Sequence, residues 1–142
     1  MKIKIKRLTT KAVIPKYAKD GDAGMDLTAT SKSTVNEEGF GYVSYGTGLA
    51  FEIPKGFVGL IFPRSSLSNT GLILSNSVGV IDSGYRGEVS ARFKYIPDTN
   101  DYEIGDRIAQ MLILPYPEVE FEEVEDLTDT DRGIGGHGSS GN

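Results

Sequence analysis

The sequence predicts an all-β domain with one short helix and a C-terminal arm. Three observations carry this. Glycine and proline are frequent, 18 and 6 in 142 residues, and they cut the chain into short pieces. Those pieces either alternate apolar and polar residues or are apolar on both faces, at the spacing of a barrel or sandwich. Helical periodicity is scarce, and neither a tandem repeat nor a heptad is present.

Taken in order, Ile3 and Ile5 alternate with lysines, and Leu49, Phe51 and Ile53 alternate across 49–53. Residues 57–62 are apolar throughout save Gly59. A short helix is expected around Ser65–Thr70, with hydroxyls to cap it and Gly71 to stop it. Val89, Ala91 and Phe93 alternate after Gly87, and Ile108–Leu114 is apolar on both faces except at Gln110. Pro115 and Pro117 then end the compact domain, giving a core of residues 1–115 and an arm of residues 116–142. Within the arm, Val119 and Phe121 alternate as a strand would, while Val124 and Leu127 have helical spacing.

The length suits one domain with a sizeable core. Cysteine is absent and His137 is the only histidine, so disulfides, Cys-based zinc sites and multi-histidine metal sites are excluded. No apolar run approaches the ~20 residues of a membrane span. The first six residues alternate charge and isoleucine, unlike a secretory signal, and the expectation is a soluble cytoplasmic protein without membrane contact. A net charge of −5 argues against duplex nucleic acid as a partner. It leaves a small polyanion open, because one nucleotide needs only a few local cations and a divalent metal can supply the rest.

Five patches carry polar chemistry. In Asp22–Leu27, Gly24 makes a turn and Asp26 precedes apolar Leu27; taken alone, this is ordinary turn chemistry. In Pro63–Ser68, Arg64, Ser65 and Ser66 open the short helix, either as a phosphate site or as a plain cap with a surface arginine. In Asn76–Val89, strand-like pieces flank a Gly-rich turn, where a hairpin would project Asp82 and Tyr85 together. A carboxylate there could act as general base and a tyrosine ring could pack on a sugar. In Gly105–Met111, Gln110 breaks a buried strand, and a buried amide must be hydrogen-bonded to protein or ligand. The fifth patch is Arg132–Gly141, where arginine, alternating glycines and two serines combine the parts of a phosphate clamp. Composition alone reads that tail as a flexible linker.

Together, in this order and spacing, the five patches resemble the motifs of trimeric dUTPases: Ala23–Leu27, Pro63–Leu67, Gly79–Gly87, Gly105–Gln110 and Arg132–Gly141. The resemblance implies a distorted jelly-roll-like β-barrel, a homotrimer with active sites at subunit interfaces, and an arm that crosses to a neighbour. It implies hydrolysis of dUTP to dUMP and pyrophosphate with Mg²⁺, which keeps uracil out of DNA and supplies dUMP for thymidylate synthesis. Asp82 is then the base that deprotonates water for attack on the α-phosphorus. Tyr85 packs under the deoxyribose and leaves no room for a 2′-OH. Asn76 and the backbone of Gly79, Val80 and Ile81 read the uracil edge. Arg64, Ser65 and Ser66 hold phosphates, with Gln110 near the α-phosphate. Asp26 holds the Mg²⁺ hydration shell through water. Arg132, Ser139 and Ser140 close over the β- and γ-phosphates, with His137 and Gly138 also against the substrate. The family's fifth motif usually carries phenylalanine where this chain has His137, and the expectation is that the imidazole stacks on uracil rather than moving a proton.

Two other readings share the scaffold. Deaminating dCTP relatives carry a glutamate in the strand after the Asp-x-Gly-aromatic turn, whereas here that strand reads Val89-Ser90-Ala91-Arg92-Phe93. A non-catalytic nucleotide-binding or signalling protein would be expected to have lost a catalytic residue. Here Asp82, Tyr85, Arg64, Gln110 and Arg132 all stand.

Overall fold

The alternation after Gly87 becomes a strand, Ser90–Tyr95, with Ala91 and Phe93 buried and Ser90 and Arg92 exposed. The computed structural model describes residues 1–37 and 40–136. Its strands are β1 (Lys4–Arg7), β2 (Met25–Thr28), β3 (Ser31–Glu37), β4 (Phe40–Gly46), β5 (Leu49–Glu52), β6 (Phe57–Phe62), β7 (Leu72–Leu74), β8 (Gly79–Ile81), β9 (Ser90–Tyr95) and β10 (Arg107–Pro115). The chain is all-β, as the punctuation and alternation predict.

All pairings are antiparallel and form three sheets: β2-β10-β6-β8, β3-β4-β9-β7 and the pair β1-β5. None of the three closes on itself among the described residues, so the barrel is a wrapping of open sheets rather than one continuous ladder. One apolar cluster joins them. Leu27, Ile61, Ala109 and Met111 come from the first sheet, Val43, Tyr45, Ala91 and Phe93 from the second, and Leu49 and Phe51 from β5. At its centre Tyr45, Phe93 and Tyr102 meet edge to face, with ring centroids 5.8, 6.1 and 6.0 Å apart. Tyr45 donates its buried hydroxyl hydrogen to the Tyr102 carbonyl at 2.9 Å.

One expectation holds and three change. The short helix expected after Arg64 is present, as a 3-10 helix of five residues, Ser65–Asn69. Its N-cap is Arg64 with no side-chain cap bond, so the hydroxyls do not cap its start; Ser68 and Thr70 donate instead to the carbonyls of Ser65 and Leu67. A five-residue 3-10 turn has too few aligned peptides for a useful dipole. The strand pieces around Asp82 do not form a hairpin: β8 pairs with β6 and β9 pairs with β4 and β7, so residues 82–89 cross between sheets. Residues 118–131 are neither strand nor helix, since the segment has no neighbour here against which to bury either apolar stripe. β3 and β4 also form a long pairing, residues 31–37 on 40–46, that apolar alternation does not announce. β3 is mostly polar, and its register is set by β4 rather than by burial.

Among the described residues, no helix is long and apolar enough to cross a membrane.

Candidate active site

Strand register builds one face of the site. Gln110 on β10 lies opposite Asp26 on β2 and opposite Phe62 on β6, so Asp26, Gln110 and, two residues past Phe62, Arg64 share one parity. Their neighbours Leu27, Ala109 and Met111 point the other way into the core. The polar face opens on a cavity of about 550 Å³ whose lining includes Lys19, Asp22, Asp26, Arg64, Arg107 and Gln110.

Asp26 organises this cavity. One carboxylate oxygen accepts from Arg64 Nε at 2.7 Å and the other from Arg107 at 3.0 Å. Arg64 also donates to Ser66 Oγ at 3.0 Å and to the Arg107 carbonyl at 3.3 Å. The guanidinium is therefore held on three sides and presented to the cavity as a fixed cation. Gln110 donates through Nε2 to the Pro63 carbonyl at 2.9 Å, satisfying one end of the amide by backbone. Its oxygen lies over Gly24: a Cβ there would stand 2.4 Å from Gln110 Oε1, so only glycine admits the amide. Ser65 also lines the cavity.

Arg107 has no role in the sequence reading, although it sits in the fourth motif. Strict alternation would send it to the core side with Ala109 and Met111. A register shift between Arg107 and Ala109 puts Arg107 opposite Thr28 instead, on the Asp26 face. The bulge re-aims one side chain, which no hydropathy pattern reports.

Asp82 and Tyr85 lie elsewhere. They follow β8, at the opposite edge of the same sheet from β2, with β6 and β10 between. Three strand spacings, about 14 Å, separate the two edges. The Tyr85 N–H donates to the Asp82 carbonyl at 3.1 Å, so the pair shares one turn even without a hairpin. Asp82 and Tyr85 are both exposed. Upstream, the amide of Asn76 lies beside Gly79, its nitrogen 3.5 Å from where a Gly79 Cβ would stand. Gly79 is buried against Ile61, while Val80 is 61% exposed. Arg132 is exposed and folds into a local turn, its Nε donating to the Gly135 carbonyl at 3.0 Å. His137, Gly138, Ser139 and Ser140 lie outside the described residues.

The order of these motifs along the chain is that of one known family, and a family model described as dUTPase matches residues 10–141. The chain belongs to the dUTPase family. A deoxyuridine 5'-triphosphate nucleotidohydrolase of Rhodococcus erythropolis is 44% identical over 99% of this chain and 87% of its own length. One of Nocardia farcinica is 46% identical over 98% of this chain and 85% of its own length. Among solved structures, the Staphylococcus bacteriophage 80alpha dUTPase G164S mutant with dUpNHpp superposes with a TM-score of 0.85. It is 27% identical and covers 99% of both chains. The wrapped β architecture is thus that of dUTPases along nearly the whole chain.

Proposed function

We propose that this protein hydrolyses dUTP to dUMP and pyrophosphate with Mg²⁺, keeping uracil out of DNA and supplying dUMP for thymidylate synthesis. The observation that carries the reading is family membership over residues 10–141 together with a cavity in which Asp26, Arg64 and Gln110 converge.

Asp82 accepts a proton from water as its oxygen bonds to the α-phosphorus. The bridging bond to the β-phosphate breaks, and pyrophosphate leaves with the electron pair. Tyr85 lies under the sugar and excludes a 2′-OH. Asn76 and the backbone of Gly79, Val80 and Ile81 read the uracil edge. Arg64, Ser65 and Ser66 hold the phosphates, with Gln110 beside the α-phosphate. Arg132, His137, Gly138, Ser139 and Ser140 close over the substrate from the arm, with His137 stacked on the base.

The residues fit Mg²⁺ in an outer-shell manner. Both Asp26 oxygens already accept from arginine, which suits contact through water better than a direct bond. Among the described residues no group of three or more acidic or histidine side chains forms a cage, so the phosphates would supply the inner ligands. When bound, Mg²⁺ neutralises charge on the phosphate oxygens.

A homotrimer is part of the reading. Asp82 and Asp26 sit at opposite edges of one sheet, so one chain does not bring base and metal-shell residue together. A neighbour supplies the missing edge. The arm, residues 116–142, exposes Phe121 and Leu127 at 93% and 87%, surface that a crossing to another subunit would cover. The compact domain is residues 1–115, and the compartment is the cytoplasm.

The decisive experiment incubates the protein with each deoxynucleoside triphosphate and Mg²⁺ and assays pyrophosphate. Release from dUTP alone supports the reading; no release, or ammonia from dCTP, overturns it. Asp82→Asn should bind dUTP while kcat falls at least about 100-fold, because an amide cannot take the proton.

A further inference from the structure

We infer that Glu88 is a positioning residue for Tyr85 and, through it, a determinant of sugar discrimination; this rests on the dUTPase reading above. The Tyr85 ring is 44% exposed, so packing alone does not fix its angle. Its hydroxyl donates to the Glu88 carbonyl at 3.0 Å, pinning the far end of the ring to the start of β9's approach. The orientation of the ring then depends on what holds Glu88.

The Glu88 side chain reaches back to the turn between β4 and β5, where Oε1 accepts from the Gly48 N–H at 2.7 Å. Gly48 is buried, Glu88 itself is exposed, and the bond between them is part-buried. Gly46 keeps the approach open: a Cβ there would stand 2.5 Å from Glu88 Oε1. The next residue is gripped by the same turn. Val89 N–H donates to the Leu49 carbonyl at 2.8 Å, and the Val89 carbonyl accepts from Thr47 N–H at 3.2 Å and Thr47 Oγ1 at 2.7 Å. Thr47 is fully buried. Residue 89 is thus anchored by backbone, residue 88 by its carboxylate, and the tyrosine by residue 88. The Glu88 carbonyl shares a planar peptide with the Val89 N–H, so the bond to Leu49 holds that plane at one end and the carboxylate holds the Glu88 Cα at the other; without the carboxylate the plane is held at one end only.

A shift of a fraction of an ångström at a ring that excludes one hydroxyl acts on the competing substrate first. The experiment compares kcat/KM for dUTP and UTP in the full chain with Mg²⁺. Glu88→Ala and Glu88→Asp, the latter one methylene too short to reach Gly48, should each lower the dUTP preference about tenfold. Glu88→Gln, which keeps the acceptor at full length, should hold the preference within about twofold of the parent. Tyr85→Phe, which loses only the hydroxyl, should lower it as Glu88→Ala does. Folded Glu88→Ala or Glu88→Asp with parental preference overturns the inference, and so does a parental preference in Tyr85→Phe. A parent that releases no pyrophosphate from dUTP overturns the functional reading instead, which separates the two failures.

Discussion

Gly24 and Tyr45 show how single residues set the site and the core. Gly24 is the only residue type that lets the Gln110 amide lie where it does. Gly24→Ala should push the Gln110 amide aside and break its bond to the Pro63 carbonyl, costing about 1 kcal/mol of stability. It should also lower kcat/KM for dUTP. Urea denaturation and steady-state kinetics on the same sample check both. Tyr45 governs the alkaline limit. Burial pushes its hydroxyl up to about 12, aided by the negative charge of Asp101. The unfolded chain ionises near pH 10. Between those values the unfolded state has lost a proton that the folded state keeps, so stability falls as pH rises through the window and is unaffected below it. Urea midpoints for the parent should drop steeply from about pH 10 upward. Those of Tyr45→Phe, lower at neutral pH by about 1 kcal/mol for the lost hydrogen bond, should drop less.

Among the elements, β10 carries the most information per residue. One side of it packs the core through Ala109 and Met111, and the other presents Gln110 to the cavity. Its bulge adds Arg107. Arg107→Ala removes a partly exposed ion pair and should change stability by less than about 1 kcal/mol. It should still raise KM for dUTP several-fold, because Asp26 and Arg64 lose a brace; thermal melts set beside Michaelis curves make the split visible. The same strand shows what the sequence could announce. Gln110 stands out as polar within an apolar run, whereas its pairing with Asp26 comes only from the register of β10 on β2. Arg107 does not stand out, because a bulge is a property of two strands fitted together. β3 and β4 escape for a related reason, since their pairing is long but weakly apolar. The chain crossing from β8 to β9 was legible as a turn and not as a change of sheet, which depends on contacts far away in sequence. The helix after Arg64 was legible in position only, because hydroxyl residues serve as caps and as carbonyl partners alike.

At the scale of the molecule, the two acidic residues of the proposed chemistry lie on different edges. If a site draws Asp82 from one chain and Asp26 from another, two defective variants should repair each other. Asp26→Asn and Asp82→Asn chains, each nearly inactive alone, should regain about a quarter of parental activity when co-refolded in equal amounts, the random-pairing expectation for a cyclic assembly. Sedimentation should find three times the 15.4 kDa protomer mass. Activity that stays at the level of the separate variants would assign both carboxylates to one chain.

The separation of those edges also bears on how the enzyme responds to its own abundance. A chain with a complete site would show a rate per molecule independent of how much protein is present. A chain that offers half a site at each edge has no turnover of its own. Its rate per molecule would fall away on dilution past the point where neighbours part, and substrate, by bridging the halves, would hold them together. For such a protein, scarcity of copies and scarcity of nucleotide would both act as an off switch.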